Sequence, residues 1–151
     1  MKMLKKNIIT LSLIFFLTNC GFTPIYLKNN NINFSIEQIE YVGDRDLNNF
    51  LKTNLDRYKN EKNNNKIFLS VETKYQKNIL SKDGAGKISS YQLEAEAIFV
   101  IKSTNKIIRV TEKKILDSKD DKFEEARYEK SIKQSFAYSI SNKLISELII
   151  N

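Results

Sequence analysis

The spacing of apolar residues changes several times along the chain, and each change marks an element. Between Ile32 and Val42, the apolar positions Phe34, Ile36, Ile39 and Tyr41 approach period two but slip once. This predicts a strand that is bulged or lies at a sheet edge. Gly43 ends it, and Asp44 and Asp46 follow as candidate N-caps. Leu47, Phe50, Leu51, Leu55 and Tyr58 then recur at helical spacing, with Asn54 the one polar member of the stripe. An amphipathic helix ending near Asn60 is expected, then a turn through 60–65. Ile67, Leu69, Val71, Thr73 and Tyr75 alternate with Phe68, Ser70, Glu72, Lys74 and Gln76, which is the pattern of a half-buried strand. A polar loop at 81–87 leads to a third strand from about Lys87 to Ile101. Tyr91, Leu93, Ala95, Ala97, Phe99 and Ile101 share one of its faces, with Ser90, Gln92, Glu94 and Glu96 on the other. Ser103 to Lys106 reads as a hairpin turn and Ile107 to Leu116 as a fourth strand.

From Lys122 the period is helical to the end, with Ile132, Phe136, Ile140, Leu144 and Leu148 every four residues. About 25 residues of helix would be about 37 Å long, a length predicted to project beyond a short strand. The order β-α-β-β-β-α, with one dry and one wet sheet face, predicts an α+β fold. It is a two-layer sandwich of a four-stranded, mostly antiparallel sheet with two helices on one face.

The start of the chain departs from this pattern. Lys2, Lys5 and Lys6 precede the uncharged run Ile8 to Leu17. Ten residues is too short to span a bilayer, which takes about 20, and has the size of a signal-peptide core. Leu17-Thr18-Asn19-Cys20 resembles a bacterial lipoprotein signal, with Asn19 standing where a small residue is usual. The expected organisation is a signal peptide at 1–19, a lipidated Cys20 with a tether and docking segment at 20–31, and one domain at 32–151. The covalent lipid would be a diacylglyceryl group on the Cys20 sulfur and an acyl chain on its amine. Several chains hold at a membrane where one does not. Gly21, rather than Asp, follows the Cys and leaves outer-membrane delivery open. Phe22, Ile25 and Tyr26 are too apolar for a free linker, so this stretch is expected to dock.

Composition excludes more than it suggests. The 151 residues lack His and Trp and hold one Cys, which removes His-dependent triads, imidazole zinc sites and internal disulfides. The net charge of +7 invites a nucleic-acid reading. However, 21 of the 25 basic residues are Lys, and 17 Asn and 20 Ile accompany them. These are the residues of A/T-rich codons, so compositional bias competes with a basic patch as the explanation. Cleavage before Cys20 would also lower the charge to +4.

Few residues offer chemistry. Gly84-Ala85-Gly86-Lys87 lacks phosphate-loop spacing and reads as a flexible hairpin loop. Glu94 and Glu96 form a carboxylate pair with no evident basic or metal-ligand companion, which reads as a solvated face. Asp117, Asp120 and Asp121 suit a capping turn better than a calcium loop. No Ser, Thr or Lys has an evident activating partner, so no catalytic residue, metal site or cofactor is expected. Lys74, Lys77, Lys82 and Lys87 cluster on and around the loop between the second and third strands as candidate contacts for an anionic lipid or a phosphate.

Cys20-Gly21-Phe22-Thr23-Pro24-Ile25-Tyr26 resembles the opening motif of the LPS-assembly lipoprotein LptE family of alphaproteobacterial type. Ile39 to Leu55, with Asp44-Arg45 before the helix, and Asp83 to Ala97 are similar to it as well. The resemblance implies two helices against a four-stranded sheet. It also implies a non-enzymatic outer-membrane lipoprotein on the periplasmic side, which plugs an LptD-like β-barrel one to one and assists lipopolysaccharide transport. Phe22, Pro24 and Tyr26 would be the docking segment, and the four lysines would meet lipopolysaccharide or the barrel. The alternative is an adaptor lipoprotein of another envelope or secretion complex.

Cys20→Ser is expected to abolish membrane anchoring and leave the fold intact. Mass spectrometry of the membrane-extracted wild type should give a chain starting at Cys20 with acyl chains attached. An unmodified, full-length precursor would overturn the lipid assignment.

Overall fold

A computed structural model describes residues 33–59 and 63–150. The predicted leader, Cys20 and the Phe22–Tyr26 segment lie outside these. The described residues belong to one compact unit. Its elements run in the order β1 (Ser35–Gly43), α1 (Arg45–Leu55), β2 (Lys66–Lys82), β3 (Ile88–Ile101), β4 (Lys106–Asp117) and α2 (Lys122–Ile150), with a 3-10 turn at Asp56–Tyr58 after α1. The sheet order is β1-β2-β3-β4. β1 pairs parallel with β2, because α1 carries the chain back to the end where it began. The other two pairings are antiparallel.

The slip in the first strand's period is physical. β1 is an edge strand, and its register shifts between Ile36 and Gln38. β2 is longer than its alternation suggested. It continues past Gln76 to Lys82, because β3 supplies partners as far as Lys82↔Ile88 after β1 has stopped. These long strands also correct the expectation of a projecting helix. The 29 residues of α2 span about 44 Å, and the 14 residues of β3 about 46 Å. The helix therefore matches the sheet to within about a turn.

One sheet face is dry. Leu69, Val71, Leu93, Ala95, Ala97, Phe99, Val110 and Leu116 are buried there, together with Leu47, Leu51 and Leu55 of α1 and Ile132, Phe136, Ile140 and Leu144 of α2. Both helices cover this face, as their apolar stripes require. The opposite face carries Glu72, Lys74, Glu94, Glu96, Arg109 and Lys113, and no helix among the described residues covers it.

The core divides at Thr73. Up to the pair Gly43↔Thr73 the sheet has four strands; beyond it, three. Gly43 adopts φ +103°, and a Cβ on it would lie 1.9 Å from the Thr73 carbonyl oxygen. That oxygen accepts from the Asp44 N–H at 3.2 Å. The Thr73 hydroxyl lies 2.8 Å from Asn48 Oδ1 and 3.2 Å from the Val42 carbonyl oxygen. Of the two candidate caps, Asp44 closes α1, accepting from the Leu47 N–H at 2.8 Å. Lys133 of α2 reaches Asp44 at 3.4 Å and Asp46 at 3.7 Å, and stands over the Tyr75 ring at 4.1 Å.

Past Thr73, α2 alone covers the sheet, and its contacts there are ionic as well as apolar. Glu125 is only 4% exposed. It accepts from the Lys119 backbone N–H at 2.9 Å and pairs with Lys122 and Lys77, each at 3.0 Å. The Lys119 N–H is the largest influence on its carboxyl and, with the two ammonium groups, outweighs burial to bring the pKa from 4.5 down to about 2. Glu129 accepts from the Tyr75 hydroxyl at 2.8 Å and from Lys77 at 2.9 Å. Burial, and then this bond to Glu129, raises the Tyr75 pKa.

Two outcomes follow for stability. Gly43→Ala meets backbone at a positive φ and should cost more than about 3 kcal/mol, read as a lowered urea midpoint. Gly84→Ala, where the added Cβ meets nothing within 4 Å, should stay within about 1 kcal/mol. Glu125 binds protons less readily folded than unfolded, so its stabilisation is present above pH 4.5 and is lost as pH falls from there towards 2. Glu125→Gln should flatten that part of the stability–pH curve. An unchanged slope would mean that Glu125 does not contribute to it.

Candidate functional site

The far end of the β2–β3 hairpin holds Lys82 and Lys87, two of the residues predicted to act. Its turn is built by Asp83. The Asp83 carboxylate accepts from the N–H groups of Ala85 and Lys87, each at 2.9 Å. Its backbone N–H donates to Lys87 O at 2.8 Å, and its carbonyl accepts from Gly86 N–H at 3.0 Å. Gly86 takes φ +80°, which a side chain would strain. The loop expected to be flexible is thus an Asp-capped turn. The amides that a phosphate-cradling loop would aim at its ligand are already used by Asp83.

The four candidate lysines are not equivalent. Lys77 faces α2, bonded to Glu125 and Glu129 and placed 4.2 Å over the Tyr91 ring. Burial acts to lower its pKa, but the hydrogen bonds to Glu129 and Glu125 prevail and raise it. Its ammonium locks helix to sheet. Lys74 lies on the opposite, helix-free face, opposite Glu96 in register. Lys82 ends β2 and is exposed. Lys87 pairs at 2.6 Å with Asp120, which raises the lysine's pKa and lowers the aspartate's. Lys82 and Lys87 thus share the hairpin tip, while Lys74 and Lys77 part to opposite faces.

Apolar exposure at this tip was not singled out from the sequence. Ile79 is 54% exposed and Leu80 47%. Their place in a strand pattern predicts burial on one face, but the shift between Ile79 and Ser81 and the absence of a β1 partner leave both open. Phe123, 71% exposed, stands on the first turn of α2, at the same end. The segment 117–121 closes beside the hairpin through Ser118 N–H donating to Ser89 O at 2.9 Å. The tip thus combines ammonium groups with exposed aliphatic and aromatic side chains.

The remaining candidates resolve into structure. Glu94 pairs with Lys113 at 3.1 Å and Glu96 with Arg109. These are basic companions across the β3–β4 ladder that sequence separation had hidden. Asp121 accepts from the N–H groups of Phe123 and Glu124 at 2.8 and 3.2 Å, capping α2. Among the described residues, no group of three or more His, Cys, Asp or Glu could hold a metal ion. None of their helices is long and apolar enough to cross a membrane. Phe22, Pro24 and Tyr26 lie outside the described residues.

No protein-family model and no curated protein matches the sequence. Solved structures do match in fold. The rare lipoprotein B from Shewanella oneidensis aligns over 74% of this chain and 92% of its own, with TM-score 0.56 at 11% identity. A minor lipoprotein from Acinetobacter baumannii aligns over 76% and 93%, with TM-score 0.51 at 16% identity. At these identities the likeness is one of architecture: the chain has the fold of these bacterial lipoproteins.

Proposed function

We propose that the chain is a non-enzymatic lipoprotein on the periplasmic side of the outer membrane. Acyl chains on Cys20 anchor it, and it plugs an LptD-like β-barrel one to one. There it assists the transfer of lipopolysaccharide to the outer leaflet. The observation that carries this reading is the amphipathic tip, where Lys82 and Lys87 stand beside exposed Ile79 and Leu80. Lipopolysaccharide presents phosphates next to acyl chains, and this pairing of ammonium and aliphatic groups complements both. The chain enters the described domain at residue 33, beside Lys66 at the other end of β2. The end where the chain enters the domain and the lipid-contact end are separated by the 17 residues of that strand, about 56 Å.

Two further features support the reading. The helix-free face carries charge that is neutralised locally, by Arg109–Glu96, Lys113–Glu94 and Lys102–Glu40. Such a face suits the polar lumen of a barrel. The fold shared with bacterial lipoproteins agrees with the opening motif Cys20 to Tyr26. Lys82, Lys87 and, on the helix-free face, Lys74 are the proposed contacts. Lys77 is held back by Glu125 and Glu129, and Phe22, Pro24 and Tyr26 are the proposed docking segment.

A tagged pull-down from detergent-solubilised outer membrane tests the partner. A roughly stoichiometric large β-barrel is expected. Recovery with an inner-membrane or secretion complex would favour the adaptor reading instead. Lys82→Glu with Lys87→Glu should weaken binding to lipopolysaccharide or to the barrel about tenfold, with stability changed by less than about 0.5 kcal/mol. Unchanged affinity for both would remove these residues from the site.

A further inference from the structure

β1 stops at the pair Gly43↔Thr73, while β2 continues to Lys82. From Lys74 onward β2 is therefore itself an open edge of the sheet, in line with β1. Two hydrogen bonds fix the direction of its backbone groups. Phe68 O accepts from the Lys102 N–H, on the β3 side, and Thr73 O accepts from the Asp44 N–H, on the β1 side. Successive residues of a strand turn their N–H and C=O groups to opposite sides. Those of Tyr75, Lys77 and Ile79 thus face the side that β1 has left, where no strand lies among the described residues. The register with β3 runs without a shift from Leu69 to Ile79. Lys74–Ile79 is then a regular open stretch of six residues, about 20 Å long.

The charge on this stretch is not neutralised within the domain. Residues 74–82 hold three Lys and no acid. Lys77 is taken by Glu125 and Glu129. Glu96, which stands opposite Lys74 in register, is bonded to Arg109 instead. Neither Lys74 nor Lys82 forms an ion pair with any described residue. Ile79 and Leu80 are exposed between them.

We infer that the open edge of β2 from Lys74 to Ile79 binds an extended segment of a partner protein as an added strand, and that this segment alternates acidic with aliphatic residues. The row of outward N–H and C=O groups requires an extended backbone, because another strand satisfies all of them at once. The alternation of β2 sets the side chains. Lys74 lies on the helix-free face, whereas Tyr75 and Ile79 share the face that α2 covers. Carboxylates along one face of the incoming strand meet Lys74, with Lys82 just beyond, and aliphatic residues on its other face pack beside Tyr75 and Ile79. A second copy of this edge would bring three more lysines and no acid, and lysines on an edge guard against such pairing. The occupant is therefore a different chain. The inference rests on the reading that this end of the domain meets a partner protein, and narrows it to one backbone-paired segment.

The test uses the full-length chain in detergent, labelled for NMR. Peptide probes keep its outcome separate from that of the pull-down. They are a six-residue peptide of alternating Glu and Val, the same peptide N-methylated on alternate amides, and one of alternating Lys and Val. The Glu–Val peptide is expected to slow hydrogen exchange of the Tyr75, Lys77 and Ile79 amides at least about tenfold. The other two peptides should leave these amides fast. Lys74→Glu should weaken the effect about tenfold and leave the urea midpoint in place. Equal slowing by the N-methylated or the Lys–Val peptide, or no slowing at millimolar concentration, would overturn the inference. So would amides of Tyr75, Lys77 and Ile79 that are already as slow as those of Gln76 and Asn78 in the free chain, since the edge would then be covered without a partner.

Discussion

The junction at Thr73 is the contact on which the arrangement of the domain depends. Gly43 can turn the chain from β1 into α1 only because it lacks a Cβ, which would overlap the Thr73 carbonyl oxygen. The same carbonyl takes the first amide after the turn, and the Thr73 hydroxyl reaches Asn48 of α1. One residue of β2 thus sets where β1 stops, where α1 starts and at what height the helix lies on the sheet. Lys133 adds the second helix to that junction by bridging to Asp44 and Asp46. A Thr at this position satisfies polar backbone in a place that is almost wholly buried, where an unpaired group would be costly.

The junction also separates two kinds of packing. On the side where the chain enters, four strands and two helices enclose Leu47, Leu51, Leu55, Leu69 and Phe99. Non-directional burial holds that half together. On the other side, three strands and one helix have too little apolar area to close alone, and Tyr75, Lys77, Glu125 and Glu129 form a connected polar network instead. The buried Glu125 carboxylate is tolerated because it is bonded several times over. Among the described residues no buried side-chain nitrogen or oxygen lacks a partner. Directional contacts hold the hairpin end at a defined angle to α2, so its lysines and exposed aliphatics sit on a rigid support.

Similarity of fold at 11–16% identity has a physical basis in this division. The sheet needs alternation, small inward residues such as Ala95 and Ala97 and one glycine at the crossover, and each of these can be kept while most side chains change. The helix-free face and the loops face no such demand. Their Lys and Asn content is free to follow composition, which is why counting basic residues says little about what the surface binds.

Periodicity determined the element order, the inner faces of β2 and β3 and the irregular, edge-like character of β1, because a buried face constrains every second or every fourth residue locally. The Asp44 cap and the Asp121 cap were legible for the same reason, since a cap acts within one turn. What only the tertiary structure decided involves partners far apart in sequence. Lys77 and Lys74 read as equal members of a basic cluster, yet the three strand positions between them, an odd number, put one against Glu125 and Glu129 and the other on the opposite face. Glu94 and Glu96 read as unaccompanied until the β3–β4 register brought Lys113 and Arg109 beside them. The length of β2 depended on how far β3 pairs with it, and the exposure of Ile79 and Leu80 on where β1 ends. A pattern of residue types encodes which face a side chain takes; its partner is fixed by strand register and helix placement, which are properties of the assembled fold.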